Sequence, residues 1–385
     1  MKVAYIGDFI NHGKSLQTIG ASIVILLSML GEVDAIDVYC PAENNNAEEF
    51  ELPPKVRLFE SYRYDDILSI LRLLKIPWNE YDVTIFNMLP TGFGNGTIAN
   101  ATALFIPIFL SKLFRQNNVK VIYHNSVFTN DIRTLGYNSL FDKIRSFFLG
   151  IVEKNLFKNV NSFVLLELYK RRIDRSIGKN RVQVLKANYL EAITTLYINK
   201  VLNAKYLETK KTGIPTVLMH GSWGPQKNIE MALSALRFLK QKGIEFRLII
   251  SGGLNHHFPD YGDIFRNILS SYSDIIDRYI GSVKERDIMN LFLEADLLIL
   301  SYNTPGGHSG VLEQAIFFEV STIVIDFPEY REQASNASSV VFSDISNFTL
   351  LLRKYIKSLA RKSCISVIDK ILTAKGGVVA LLDNT

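Results

Sequence analysis

Cysteine is nearly absent: Cys40 and Cys364 are the only two in 385 residues. They stand far apart and match no metal-ligand spacing, so neither a disulfide-stapled secreted scaffold nor a zinc-ribbon centre is expected. Both read as reduced thiols packed in the cores of a cytosolic protein. A strong charge of one sign is also missing. Lys and Arg number 43 against 38 Asp and Glu, for a net charge of +5. That balance attracts anions mildly and falls short of the basic density of a nucleic-acid binder. Long apolar runs are lacking too. The nearest, residues 98–114 (IANATALFIPIFLSKLF), is interrupted by Pro107 and Lys112. It stops short of the ~20 residues a bilayer span needs and is expected as a buried helix feeding the next strand. The stretch Met1–Gly7 reads directly as a strand, with no basic leader and no cleavage site, so a cytoplasmic location is expected. The Asn-x-Ser/Thr sequons at Asn95, Asn100, Asn336 and Asn347 then read as chance matches.

What is present is globular in kind: 48% of residues are apolar and 21% charged. The length suggests two domains with substantial cores. Lys2–Ile6, Ala35–Cys40, Val83–Phe86, Lys120–Tyr123 and Ser162–Leu166 read as strands, with a helix over Leu16–Leu30 and a surface excursion over Ala42–Lys55. After the Lys-rich stretch Glu208–Lys211 a second cycle begins. Its strands are Thr216–His220, Phe246–Ile250, Asp277–Ile280, Leu297–Ser301 and Ser321–Ile325, with a helix over Asn228–Lys240. Alternating strands and helices in two blocks predict two Rossmann-like α/β domains on parallel sheets, residues 1–208 and 209–385, with the last helix able to pack back on the first domain. Ligands of such sheets gather at the carboxyl ends of the strands.

Gly13-Lys14-Ser15 follows the first strand and resembles part of a P-loop. That motif needs four residues between its first glycine and the Gly-Lys pair, and Asp8 stands where the glycine belongs. The misfit changes which amides converge on a phosphate, so an NTPase is not expected. The loop bearing Asp8, His12, Gly13, Lys14 and Ser15 reads instead as an acceptor-side loop at the ligand end of its strand.

The second block carries more chemistry. His220-Gly221-Ser222-Trp223-Gly224-Pro225-Gln226-Lys227 joins a strand to a helix, and its glycines let the chain approach a ligand. Lys227 adds a point charge on a mobile stem, although a lysine at a helix start is often merely solvated. Ser251-Gly252-Gly253 ends the next strand, and Gly281-Ser282-Val283 follows the one after. Then SYNTPGGHSGVLEQAIFF, from Ser301, ends a strand, turns on Gly306 and Gly307, and opens a helix at Ser309-Gly310-Val311. A helix start offers amides and partial positive charge to a phosphate. Glu313, a turn further on, could accept from ribose hydroxyls or simply face water. His308 reads equally as a donor to the ligand or as a solvated loop residue.

In this order the motifs resemble retaining glycosyltransferases of the GT-B fold, and more narrowly family 4. The resemblance covers about Pro215–Pro328 and is thinner before it, resting there on the first strand and on Val121-Ile122-Tyr123-His124-Asn125. It implies a nucleotide-sugar donor, no cofactor and no metal. Glu313 would hold the ribose, Gly281–Val283 would lie near the base, and Lys227 with the Gly307–Val311 amides would hold the diphosphate. Gly221 and Ser222 would line the same site, and His124 would contact the sugar across a cleft. His124, Lys227 and Glu313 would thus carry the catalysis. The acceptor, a glycan or a lipid-linked hydroxyl, would enter near residues 8–15.

Two departures from the family pattern stand out. The family commonly has a second glutamate eight residues before Glu313, and Pro305 stands there. Its first loop often carries Arg beside the glycine, and here Ser222 replaces it. A non-catalytic GT-B accessory subunit is therefore an alternative reading. A nucleotide-sugar epimerase, another class on the same fold, ranks lower because it needs cleft carboxylates for proton abstraction and the chain shows few. Residues 142–158 (DKIRSFFLGIVEKNLFK) form a basic amphipathic stretch that suits either a solvated helix face or peripheral contact with the inner face of an anionic membrane.

Overall fold

The computed structural model describes residues 1–7, 9, 15–42, 52–89, 93, 96–113, 118–124, 126–128, 140–179, 181–185, 213–255, 258, 260–283, 285–304 and 307–359. These form two compact units, each carried by one sheet. The domain boundary expected at 208 lies in residues 186–212, outside the described residues, as do Cys364 and the last segment from residue 360. Cys40 is buried and unbridged.

The first unit runs β1 (Lys2–Ile6), α1 (Ser15–Met29), β2 (Ala35–Pro41), β3 (Val56–Tyr62), α2 (Ile67–Arg72), β4 (Val83–Met88), α3 (Thr97–Leu113), β5 (Asn118–Tyr123), α4 (Leu140–Asn159), β6 (Asn161–Val164), α5 (Glu167–Ile177) and β7 (Val182–Val184). Its sheet has the order β3-β2-β1-β4-β5-β6-β7 with every pairing parallel. Central strands of such a sheet are covered on both faces and need continuous apolar sequence. The β1 run Val3–Ile6 meets that requirement and is fully buried. Two strands of this unit escape the sequence reading, as does the last strand of the other, Val340–Ser343. β7 is three residues long, and β3 is an edge strand whose Arg57 makes two bonds to the buried Asp37, Nε at 2.7 Å and Nη2 at 2.9 Å. Edge strands tolerate charge, so β3 carries no apolar run to find.

One expectation about α3 is corrected. The helix is buried on one face only: Ala99, Ala103, Leu104 and Ile106 face the core, while Ile98, Phe105, Phe109 and Leu113 are exposed. A helix in the outer layer of an α/β unit has a single face toward the sheet. Residues apolar all round must then leave half their surface outside.

The second unit continues β8 (Thr216–His220), α6 (Ile229–Gln241), β9 (Arg247–Ser251), α7 (Tyr261–Ser271), β10 (Arg278–Ile280), α8 (Glu285–Glu294), β11 (Leu297–Leu300), α9 (Gly310–Phe317), β12 (Ser321–Ile325), α10 (Pro328–Gln333), β13 (Val340–Ser343) and α11 (Phe348–Leu359). The sheet order is β10-β9-β8-β11-β12-β13, again parallel throughout. Strand order therefore reverses between β8 and β11, which opens the crevice where parallel sheets take ligands. β8 and β12 have the bounds predicted from sequence. Leu233, Leu236 and Leu239 of α6 pack with Leu248 and Ile250 of β9 in the core, each removing an apolar side chain from water for about 2 kcal/mol.

Candidate functional site

At the end of β8, Gly221 turns with φ 152° and its N–H donates to the Ser251 carbonyl at 3.2 Å. Gly252, with φ 109°, lies so close that an added Cβ would overlap the Gly221 carbonyl oxygen outright. Its own N–H reaches the carbonyls of Ile280 and Gly281 at 3.0 and 2.9 Å. The loops after β8, β9 and β10 are thereby tied together through backbone atoms. Trp223 closes this floor. It is buried, donates Nε1–H to the Ser251 carbonyl at 3.1 Å, and stacks on Phe265 with centroids 5.6 Å apart.

Below Gly221, His220 Nδ1 and Ser251 Oγ are 2.8 Å apart, both side chains being buried. Burial first, and the Lys227 charge second, push the His220 imidazolium down to about 4. The ring is therefore neutral at physiological pH. This pair was not anticipated, because its members are separated by 31 positions.

Lys227 ends a short turn, Pro225–Lys227, and Asn228 takes a left-handed conformation (φ 47°, ψ 44°) before α6. The turn is stitched to the end of β11: Ser301 Oγ–H donates to the Lys227 carbonyl at 2.9 Å and Asn303 N–H to the Gln226 carbonyl at 3.1 Å. Lys227 Nζ lies 3.7 Å from the Tyr302 ring centroid. That cation–π contact holds the ammonium at the crevice and contributes about 1 kcal/mol.

Ser309 caps α9, its Oγ accepting from Leu312 N–H at 3.2 Å. Its own amide is engaged by Gln333 Oε1 at 3.0 Å. The amides of Gly310 and Val311 are what the helix start can offer an anion. Gly307, with φ 98°, makes the turn into this segment. The α9 start stands beside the β8 loop, since a Cβ on Gly221 would touch Val311 Cγ2 at 4.0 Å. Glu313 is half-buried, and Gln333 of α10 donates Nε2–H to its Oε2 at 3.1 Å. Gln333 was likewise missed, since no local motif marks it.

The carboxyl edge of the second sheet thus carries Gly221, Ser222, Lys227, Gly281, Ser282, Val283, Gly307, His308, Ser309, Gly310, Val311 and Glu313. Ser222 and Ser282 are exposed and Val283 is buried. Gly306 and Pro305 lie outside the described residues, as do His256 and His257.

In the first unit His124 follows β5 and is buried. Its Nε2–H donates to Asn87 Oδ1 on β4, which leaves Nδ1 as the ring's acceptor. Burial pushes its imidazolium down to about 3, so this ring is neutral too. Glu153 of α4, also buried, braces the loop after β5. It accepts from Tyr123 Oη–H at 2.7 Å, from Ser126 Oγ–H, and from Val127 N–H at 3.1 Å. Burial raises its carboxyl to about 7. Asp8, His12, Gly13 and Lys14 lie outside the described residues, and Ser15 is the first residue of α1.

Comparison with solved structures gives the fold. The chain matches Anabaena HepE, solved with UDP and glucose, at TM-score 0.61 and 12% identity over 100% of both chains. It matches sucrose-phosphate synthase from Thermosynechococcus elongatus at TM-score 0.62 and 12% identity, over 100% of this chain and 98% of that one. UDP-GlcNAc 2-epimerase from Neisseria meningitidis, bound to UDP-GlcNAc, matches at TM-score 0.58 and 15% identity over 100% of both. No protein-family profile and no curated protein sequence matches the chain. The fold is GT-B, two Rossmann-like domains on parallel sheets. Among the described residues no group of His, Cys, Asp and Glu could hold a metal ion, and no helix is long and apolar enough to cross a membrane.

Proposed function

We propose that this chain transfers a sugar, with retention of configuration, from a nucleoside diphosphate donor to a hydroxyl acceptor on a glycan or lipid-linked glycan. The observation that carries this reading is the grouping at the β8–β11 switch point. There the Lys227 ammonium, the Gly310 and Val311 amides and the braced Glu313 carboxylate share the carboxyl edge of one sheet. Glu313 accepts from the ribose hydroxyls, Lys227 and the helix start take the diphosphate, and Gly281–Val283 flank the base. As the glycosidic bond breaks, negative charge grows on the leaving diphosphate. Fixed donors aimed at that charge lower the barrier, a task they can perform without a metal. His124, neutral and fixed by Asn87, is assigned to the donor sugar. The β-phosphate oxygen takes the acceptor proton on the face from which the nucleotide leaves. UDP in HepE supports a uridine nucleotide as the first donor to try.

The likeness to an epimerase, at TM-score 0.58 beside 0.61 and 0.62, makes nucleotide-sugar epimerisation the second reading. Purified protein given UDP-, GDP- and ADP-sugars separates the two. Slow release of a nucleoside diphosphate, unaffected by a chelator, supports the transferase. A changed sugar still attached to its nucleotide supports the epimerase. Tight binding with no turnover assigns an accessory subunit, with Pro305 and Ser222 as its cause. Lys227→Ala and Glu313→Ala should each weaken nucleotide binding about tenfold or more. If both bind as the parent does, the site is misplaced.

A further inference from the structure

Ten of the 24 large apolar side chains exposed among the described residues lie on α3 and α4, two helices that pack side by side on the first sheet. On α3, Phe105 and Phe109 are about half exposed and share one helix face with Ile98 and Leu113. On α4, Phe141 is 82% exposed, Phe147 67% and Phe148 57%, and Ile144 and Ile151 complete the stripe. These intervals of three, four and seven residues place them along one line of the helix. A water-facing helix of a soluble monomer should be polar on that line. The grouping far exceeds the scattered apolar residues of an ordinary surface.

Among the described side chains, the exposed charges around the stripe are all of one sign. Among the described side chains of the two helices, the exposed charged ones are Lys112, Lys143, Lys154 and Lys158. The carboxylate Glu153 is turned inward and fully buried under the loop after β5. On the helix wheel Lys143 borders the aromatic line, and Lys154 and Lys158 continue it toward the helix end, seven residues after Phe147 and Ile151. Long lysine stems can keep their ammonium groups in water while apolar side chains beside them enter a less polar layer. A second copy of the chain is a poor occupant. A two-fold contact would set these lysines against their own kind, with no exposed carboxylate among the described side chains of the two helices to pair them. An anionic lipid surface satisfies both parts, taking the aromatic rings below the headgroups and the lysines at their level.

We propose that α3 and α4 together form a face that lies in the interfacial layer of an anionic membrane. The proposal deepens the reading above, since it makes the acceptor a lipid-linked hydroxyl met at the bilayer surface. It extends the expectation for residues 142–158 by adding α3, whose Ile98, Phe105, Phe109 and Leu113 are four of the ten exposed apolar side chains.

Vesicle co-sedimentation of the full chain tests it, with phosphatidylcholine alone and with phosphatidylcholine mixed with phosphatidylglycerol. The parent should sediment with the mixed vesicles and much less with the neutral ones. Phe105→Ser with Phe109→Ser, and separately Phe147→Ser with Phe148→Ser, should each lower partitioning by about tenfold or more. Each Lys→Glu change at 143, 154 or 158 should lower it roughly fivefold, with greater loss at high salt. Circular dichroism and UDP titration serve as folding controls. Vesicle binding by a chain that binds no nucleotide would sink the transferase reading and leave the membrane face standing. Three results overturn the membrane face: a parent that stays in the supernatant with both vesicle types, serine variants that bind as the parent does, or a parent dimer by light scattering that the serine changes dissolve.

Discussion

Gln333 reaches Glu313 from 20 residues away, its Nε2–H donating to the carboxylate at 3.1 Å. The same amide clamps the Ser309 backbone in both directions, accepting from N–H at 3.0 Å and donating to the carbonyl at 2.7 Å. One side chain therefore fixes both the start of α9 and the acidic residue in its first turn. Gln333→Ala should weaken UDP binding about fivefold to tenfold, since three hydrogen bonds of about 1 kcal/mol each organise the site. Isothermal titration of the variant beside Glu313→Ala checks this. If Gln333→Ala binds as the parent does while Glu313→Ala does not, Gln333 has no positioning role.

Ser222 is exposed in the loop after β8, at the place where the resembling family often has Arg. A guanidinium there would add a second cation beside Lys227. Ser222→Arg should tighten nucleoside diphosphate binding by about threefold to tenfold and leave nucleoside binding unchanged. Equal tightening of both ligands, or of neither, would contradict a diphosphate at this loop.

Gly252 meets two demands at once, a φ of 109° and contact with the Gly221 carbonyl. Gly252→Ala should destabilise the second unit by about 2–4 kcal/mol through backbone displacement. Urea unfolding followed by the fluorescence of buried Trp223 would read it. Gly243→Ala is the control, because its φ of 72° strains an added Cβ that meets no neighbouring atom. It should cost only about 1 kcal/mol. A similar loss in both variants would remove the close approach as the cause.

Two buried groups give opposite pH slopes. The Glu153 carboxyl is raised to about 7 from 4.5 by burial. The folded chain then keeps a proton that the unfolded chain releases, and stability falls as pH rises from 4.5 to 7, by up to about 3 kcal/mol. Glu153→Gln should flatten that limb. His220 runs the other way, lowered by burial to about 4 from 6.5. Its contribution is complete above 6.5 and is lost as pH falls toward 4, again by about 3 kcal/mol. His220→Asn should make the acid limb shallower, the remaining slope being that of His124, which burial lowers to about 3. Urea unfolding of parent and variants across both windows measures each slope, and an unchanged slope in either variant refutes its assignment.

The parts of the site legible in the sequence are those encoded locally. Apolar runs ending at a glycine mark β8 and β9 and put Gly221 and Gly252 at their turns, and the apolar run of β11 is followed by the turn that holds Gly307. Glu313 is readable because it lies one turn from the glycine that opens its helix. What escapes is held by partners distant along the chain. Ser251 lies 31 residues from His220, Glu153 27 from Ser126, and Asn87 37 from His124. Parallel strand pairing brings the first and last of these together and the packing of α4 on its sheet the second, and no spacing rule covers either. The exposed half of α3 was hidden for a different reason. An all-round apolar helix carries no periodic signal to say which face meets water.

The loops after β8, β9 and β10 are laced by main-chain atoms of Gly221, Gly252, Ile280 and Gly281, with the Trp223 indole joining from its own side chain. The exposed side chains of Ser222 and Ser282 are therefore free of the duty of holding the frame. Ser222 and Ser282 can be exchanged for residues of other shapes without loosening the turns that carry them. A scaffold of this kind separates heredity of shape from heredity of taste: descendants of the chain could come to prefer a different base or sugar by changing these exposed side chains, while the cradle beneath stays the same.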